Sequence, residues 1–354
     1  MNTVATTRIP FGDPERLSIA ISQLLFPSGG KQLPNAVLLA TGNDFRTVVP
    51  AVSLIHFPIH AMVLFSWHGD LSNQLMREIN RIQPTGKNAP AAVLLVGPFT
   101  AAAIGQLHRA GYSTLHFEQN DPYVQMVHIA DWRRRYLPDT MPEMITGNTF
   151  LISSETVEES LPVFGFAAHM GTPILYAQRD SLPDLTRRFL QREKHRHVTI
   201  IGSESIISRR VEEECRSVVN GTVERFSGST PQEMAILFAR AKSKATQIGF
   251  GRHTPGKGDA FTFLPTDWRM AMAAAAMSHT GKHTPLLPLS KTDLPNLYRR
   301  YLESLLPQAG GPQPPFMHAF VLGDMQQIPF STQVEIEGHI QLADPKIGAT
   351  GGPE

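Results

Sequence analysis

The chain has 354 residues, 42% of them hydrophobic and 18% charged, the composition of an ordinary soluble globular protein. Its 32 basic and 31 acidic residues leave a formal net charge of +1, so no overall excess of one sign steers it to nucleic acid or to a charged membrane surface. A single cysteine, Cys215, excludes an internal disulfide framework and a cysteine-rich zinc site.

The N-terminus, MNTVATTRIPFG, lacks the apolar core of a secretory signal, and no apolar run has the length of a membrane span. RIPFGDPERLSIAIS, from Arg8, reads as an extended segment entering a helix, with Asp13 as N-cap and Pro14 at the first helical position. NAVLLATGNDFRTVVPAV (35–52) is then a strand, a loop and a helix. Its unbroken Val37-Leu38-Leu39 run suits a strand buried on both faces of a parallel sheet. AMVLFSWHGDLSNQLMREI (61–79) is a second strand and helix, and AAVLLVGPFTAAAIGQL (91–107) a third strand ending at Gly97, where glycine lets the chain turn sharply. A closing strand follows near Tyr112–Phe117.

The same landmarks then recur in the same order. The second set is HFEQNDPYVQMVHIA from His116, NTFLISSETVEESLPVFG (148–165), TPILYAQRDSLPDLTRRFL (172–190) and HVTIIGSESIISRRVEEE (197–214), closed near Thr222–Phe226. The third is RFSGSTPQEMAILFA from Arg225, DAFTFLPTDWRMAMAAAA (259–276), TPLLPLSKTDLPNLYRRYL (284–302) and HAFVLGDMQQIPFSTQVEIE (318–337), closed near His339–Leu342. Setting Pro14, Pro122 and Pro231 in register aligns Arg8, His116 and Arg225, a period of about 110 residues. The expected fold is α/β: three tandem modules with mainly parallel sheets, packed as a pseudo-threefold ring. The expected modules are 1–115, 116–224 and 225–342, with 343–354 a flexible C-terminal tail.

The phrases LPDLTRRFL and LPNLYRRYL, with the looser copy from Leu71, place Arg77, Arg188 and Arg300 at one equivalent helical position. At 100° per residue Arg188 lies just beyond the apolar arc of its helix and Arg187 points to the opposite side. Two roles are open to the three arginines: snorkelling over the core or pairing at a module interface, or a clamp for phosphate or carboxylate groups, which guanidinium forks suit. Arg187 and Arg299, with Met76 as their third equivalent, read as a solvated face, and the basic run RRFLQREKHRH (187–197) as a solvated helix end.

Other motifs carry no chemistry. GRHTPGKG (251–258) lacks the Ser/Thr that a phosphate-binding P-loop needs after Lys257, and a strand follows it where a helix is required. His279 and His283 stand four apart, but Gly281 breaks the helix that would align them, so no metal site is expected. RFSGSTP does not fit a nucleophile elbow, and no Ser/His/Asp or Cys/His set recurs. No catalytic residue and no cofactor is expected; Asp13 and Asp121 are expected to cap helices.

With these phrases lined up, the chain resembles the bacterial cell-wall-binding repeat type 2 family, triplets found in surface proteins of Gram-positive bacteria. The resemblance runs over roughly residues 8–342 and rests on RFSGSTPQEMAILFA, RIPFGDPERLSIAIS, ATGNDF, TPILYA, TPLLPL and TIIGSESIIS. Met62 stands where that family's strand proline is expected, and HFEQND has lost the Arg-Ser-Gly signature. The resemblance implies a non-catalytic pseudo-trimer that attaches a surface protein to an anionic wall polysaccharide in grooves between modules. It also implies a cell-wall location, whereas the sequence, taken as a full-length chain without a signal, reads as cytoplasmic. The alternative expectation is an intracellular structural or assembly protein that uses the fold for protein–protein contacts. The weakest is an enzyme on a phosphorylated small molecule, by α/β analogy alone.

Overall fold

The apolar runs of the sequence pair as parallel strands in three separate sheets, each of four strands. The computed structural model describes residues 5–28, 33–140, 147–192, 197–280, 283–289, 293–306 and 317–341, with the backbone alone for 137–140. The expected tail, 343–354, and residues 193–196 of the basic run lie outside these.

In chain order the first elements are β1 (Thr6–Ile9), α1 (Pro14–Leu25), β2 (Ala36–Thr41) and α2 (Phe45–Val48), which continues as a 3-10 turn over Val49–Ile55. Next come β3 (Ala61–Ser66), α3 (Asn73–Ile82), β4 (Val93–Val96), α4 (Ala101–Arg109) and β5 (Thr114–Phe117). The second set is α5 (Pro122–Thr140), β6 (Asn148–Ser153), α6 (Leu161–Met170), β7 (Ile174–Ala177), α7 (Asp184–Arg192), β8 (His197–Ile201), α8 (Arg209–Val218) and β9 (Val223–Phe226). The third is α9 (Pro231–Arg240), β10 (Ala260–Pro265), α10 (Trp268–His279), β11 (Leu286–Leu289), α11 (Asn296–Leu305), β12 (His318–Leu322) and α12 (Phe330–Ile340).

The sheet orders, β3-β2-β4-β5, β7-β6-β8-β9 and β11-β10-β12-β1, are the same order three times, parallel throughout. This bears out the three-module α/β reading, with one correction. The closing strand expected near His339–Leu342 is not one over the described residues, where 339–340 end the helix α12; Leu342 lies outside them. The fourth strand of the last sheet is the first of the chain: β1 runs along β12 with Thr6 beside Ala319 and Ile9 beside Leu322. Each repeat thus opens with a strand that completes another repeat's sheet, and the expected boundaries at 115/116 and 224/225 fall inside β5 and β9.

Helix starts follow their sequence grammar. Asp13 accepts from the Arg16 amide (2.8 Å) and Asp121 from the Tyr123 amide (2.8 Å). At the third start, Thr230 Oγ1 accepts from Glu233 N (3.1 Å) while Glu233 accepts from the amide of Ser229, the residue before the cap (2.8 Å), close to a capping box. The small-residue elements meet at the centre: α6 lies along α10, the turn 49–55 packs on both, and α1 packs on α10 and β3. Residues 270–279 are all buried, as are 161–168 and 49–55.

The aligned Arg8, His116 and Arg225 have a structural role. Each is the penultimate residue of its strand, close to the glycine that follows the neighbouring strand, Gly323 (φ +120°), Gly97 (φ +95°) or Gly202 (φ +130°), and holds that turn by its carbonyl. Arg225 Nη1 donates to Gly202 O and Ile207 O, both at 2.8 Å, and Arg8 Nη1 to Gly323 O (3.1 Å). His116 Nε2 makes the shorter version to Gly97 O (2.8 Å). Arg225 also pairs with Glu212 at 2.8 Å. Charge-assisted hydrogen bonds of this kind contribute about 1.5–3 kcal/mol each, so Arg225→Ala is expected to cost about 3 kcal/mol in a denaturant titration. A loss below about 1 kcal/mol would assign these contacts to a solvated surface.

Candidate functional site

Arg77, Arg188 and Arg300 project from α3, α7 and α11, and all three are exposed. Among the described residues none of them has an ion pair or a hydrogen bond. Their chain neighbours behave the other way. Arg187 pairs with Glu214 of α8 (2.9 Å), and Arg299 of α11 pairs with Glu335 of α12. The expected solvated face is therefore the seam between outer helices, a correction that follows from α7 packing on α8 and α11 on α12. The single-helix wheel placed Arg187 opposite the apolar arc, but a second helix stands there. Of the basic run, Arg192 pairs with Asp131 and His197 Nδ1 accepts from Thr222 N (2.8 Å).

Two of the three arginines line clefts. Arg77 borders one of about 570 Å³ with Arg16, Glu15, Ser72 and Trp67. Ser72 fixes its floor, since Oγ accepts from Leu75 N (3.1 Å) to cap α3 and donates to Glu15 Oε1 (2.5 Å) of α1. Arg300 borders one of about 480 Å³ between α9, α11 and residues 253–255, with Leu237, Arg240, His253 and Tyr301. Here Tyr301 Oη donates to Arg252 O (2.8 Å), and His253 Nδ1 to Arg240 O (2.9 Å). Each cleft combines arginines with an exposed apolar side chain, Trp67 (40% exposed) or Leu237 (43%). Both lie inside a repeat, between its first and third helices, where the sequence reading expected grooves between modules.

One cluster escaped the sequence reading. The three central elements each carry a histidine within one residue of their end, His56, His169 and His279, joined by His60 and His283 from the loops that follow. His60 Nδ1 lies 3.0 Å from His279 Nε2, and His283 Nδ1 3.2 Å from His169 Nδ1. The His56 and His279 rings meet edge-on at 5.2 Å, and Phe57 stacks on His60 at 4.9 Å. Arg133 of α5 is buried beside them, with Nε on Gly171 O (2.9 Å), Nη2 near Phe57 O (3.3 Å) and Nη1 without a partner among the described residues. Position 171 must be glycine: φ is +64°, and a Cβ would stand 1.9 Å from Arg133 Nη2.

The neighbourhood is made of bases. Burial, then Arg133 and the other histidines, pulls His56 down to about 2. Burial and then His60 take His279 to about 3, and burial, then His283, Lys242 and Arg252, take His169 to about 4. His60 is lowered by burial. Asp259, which senses His283, is already committed to Arg252 at 2.7 Å. Sequence reasoning saw only HTGKH; setting the three ends LIHFP, AAHMG and MSHTG side by side would have exposed the set. Among the described residues no group of three or more His, Cys, Asp and Glu is placed to hold a metal ion. Residues 251–258 lead into β10, as their lack of a P-loop context required, and Cys215 is a buried thiol pushed up to about 12 by burial and then by Glu214 and Glu212.

No protein-family profile matches the chain. It is 25% identical over 218 residues to the amidase enhancer of Bacillus subtilis (strain 168), which covers 61% of this chain and 27% of that protein. Among solved structures it is similar to Cwp8 from Clostridium difficile, with a TM-score of 0.71 at 17% identity over 96% of this chain and 52% of that one. Cwp6 from the same organism gives a TM-score of 0.71 at 16% identity over 95% of this chain and 48% of that one. The chain therefore spans about half the length of these two structures and about a quarter of the amidase enhancer. At such identities the likeness shows the fold. Among the described residues no helix is long and apolar enough to cross a membrane.

Proposed function

We propose that this chain is a non-enzymatic binding protein with a cell-wall role, attaching without covalent chemistry to an anionic wall polymer. Its three repeats, arranged about an approximate threefold axis, would each present one arginine of the set Arg77, Arg188 and Arg300. One observation carries the reading: these three side chains occupy one equivalent position, all exposed and unengaged among the described residues, while the arginines beside them are paired. A stability role would have given them carboxylate partners. Arginines held ready beside an apolar wall suit a polymer that carries phosphate or carboxylate groups on a sugar backbone. The shared fold with Cwp8 and Cwp6, and the sequence likeness to an amidase enhancer, support a wall context over the intracellular alternative.

The test is co-sedimentation with cell walls before and after their anionic polymers are extracted. Retention is expected to disappear on extraction. Replacing Arg77, Arg188 and Arg300 together with Gln is expected to weaken retention at least tenfold, about 1.4 kcal/mol or more, and to flatten its salt dependence. The melting temperature should stay within about 2 °C, since exposed unpaired arginines hold nothing together. Undiminished retention by the triple variant would overturn the role of the arginines, and undiminished retention on extracted walls would overturn the anionic polymer.

A further inference from the structure

The first sheet carries an open crevice that the arginine clefts do not include. It lies at the carboxyl ends of β2, β4 and β5, has a volume of about 310 Å³, and is lined by Asp44, Thr47, Gly97, Glu118, Asn120 and Gln125 among others. β2 and β4 are neighbours in the sheet, yet the chain leaves β2 for β3 on one side and β4 for β5 on the other. Such a divergence leaves a gap between the two connections, and it is where open α/β sheets take their ligands.

The other two sheets fill the same place with their own side chains. In the second, the Glu159 carboxylate lies over Gly202 and accepts from Ser203 N at 3.3 Å. In the third, Gln327 reaches across to donate to Gly12 O at 3.0 Å, and the Pro265 ring covers Gly323. The first sheet has Pro98 and Gly42 at the matching strand ends, and neither reaches over the gap.

Gln125 defines what could enter. It is fully buried, and its Nε2 donates to two main-chain carbonyls, Phe117 O (2.9 Å) and Thr47 O (3.3 Å). Two carbonyl partners fix the amide orientation, so the remaining atom is Oε1, an acceptor with no partner among the described residues. A buried acceptor left unmet is costly, and a ligand N–H or O–H would recover that cost. Three further lining groups are acceptors, beside the amides of Asn43, Gln119 and Asn120, which can both donate and accept. Thr47 Oγ1 gives its proton to Asp44 O (2.9 Å) and can only accept. Asp44 and Glu118 bring carboxylates to the rim, the first paired with Arg46 at 2.7 Å and the second largely exposed, 3.5 Å from His116 Nε2.

We infer that this crevice binds one hydroxyl-rich saccharide unit that carries no anionic group. The acceptors call for donors on one small ligand, and the Glu118 carboxylate, with Asp44 already neutralised by Arg46, disfavours phosphate and carboxylate. The volume stands at the lower end of the roughly 300–1,000 Å³ of small-molecule sites, room for one ring and not for a stretch of polymer. This is a site separate from the arginine clefts, of opposite electrostatic preference.

The experiment is saturation-transfer NMR on the full chain with D-glucose, D-glucosamine and D-glucose 6-phosphate. Glucose and glucosamine are expected to receive magnetisation and to compete with each other, and the phosphate ester to bind at least about tenfold more weakly. Asn120→Trp, an exposed rim substitution that plugs the crevice without touching Gln125, should abolish the signal, as should Gln125→Met. The triple arginine variant should leave it unchanged, which separates this site from the wall-attachment reading. Equal binding of the phosphate ester, transfer that survives Asn120→Trp, or no transfer to either neutral or amine-bearing sugar would overturn the inference.

Discussion

Taking the protein from about pH 7 to about pH 5 is expected to remove about 6 kcal/mol of stability, most of what a domain of ordinary stability has. The cause is the histidine cluster at the ends of the turn 49–55, α6 and α10. In the folded chain His56, His279 and His169 are held down to about 2, 3 and 4, against an ordinary value of 6.5. A base whose folded pKa is depressed stays neutral in the fold and charges only in the unfolded chain. Its contribution is intact above pH 6.5 and is lost as pH falls from there towards the folded value. Over that window each group costs about 1.4 kcal/mol per pH unit, so three together give a slope of about 4 kcal/mol per unit near pH 5.

No carboxylate in the cluster offsets the effect, since Asp259 is tied to Arg252 and Arg133 adds a fixed positive charge. Denaturant midpoints measured between pH 7.5 and pH 4.5 (about one half-unit apart) would read this slope directly. His169→Gln should lower the uptake on unfolding by about one proton. A stability that stays flat across the window would mean that water or a bound anion already compensates these bases.

Most of the architecture could be read from the sequence because its signals are local. Val37-Leu38-Leu39 is a buried strand wherever the chain goes, and Asp13-Pro14, Asp121-Pro122 and Thr230-Pro231 cap helices by contacts within three residues. What escaped the reading depends on partners far away in the chain. The segment RIP was recognised as the opening of a repeat, but no local pattern says that it joins β12 more than 300 residues on. Without that partner, the end of the third repeat was assigned a strand of its own, in residues whose apolar spacing serves α12.

Arg187 and Arg188 show the same limit at the site. The wheel of α7 ranks them by distance from the apolar arc, and Glu214 on α8 reverses the ranking. The histidines were hidden by loop length. Four residues lie between His56 and Ala61 at the start of β3, and six between His279 and Leu286 at the start of β11, so an alignment anchored on strands slides them apart.

Removing residues 1–9 is expected to cost about 5 kcal/mol or more and to leave the third sheet open along β12. β1 buries Ile9 and supplies partners to groups that lie inside α12. The Ala5 amide donates to Glu337 Oε1 (2.8 Å), Thr6 Oγ1 accepts from Gln333 Nε2 (3.0 Å), and Arg8 Nε donates to Gln333 Oε1 (2.6 Å). Glu337 is fully buried and Gln333 nearly so. Without the strand, Glu337 and Gln333 lose these partners together with the apolar cover of β1, and hydrogen bonds to charged groups contribute about 1.5–3 kcal/mol each. The exposed edge of β12 would also become a template for another strand, so the truncated chain should self-associate.

A peptide of residues 1–12 added in trans should pair with that edge, restore the melting transition and dissolve the association. The comparison with Arg8→Ala separates the two contributions. That variant keeps the strand and its ladder and loses the contacts to Gly323 and Gln333, so it should retain a monomeric third sheet at lower stability. If the truncated chain melts like the intact one and stays monomeric, the first strand is an accessory of the last sheet and the three repeats hold together through α1, α6 and α10 alone.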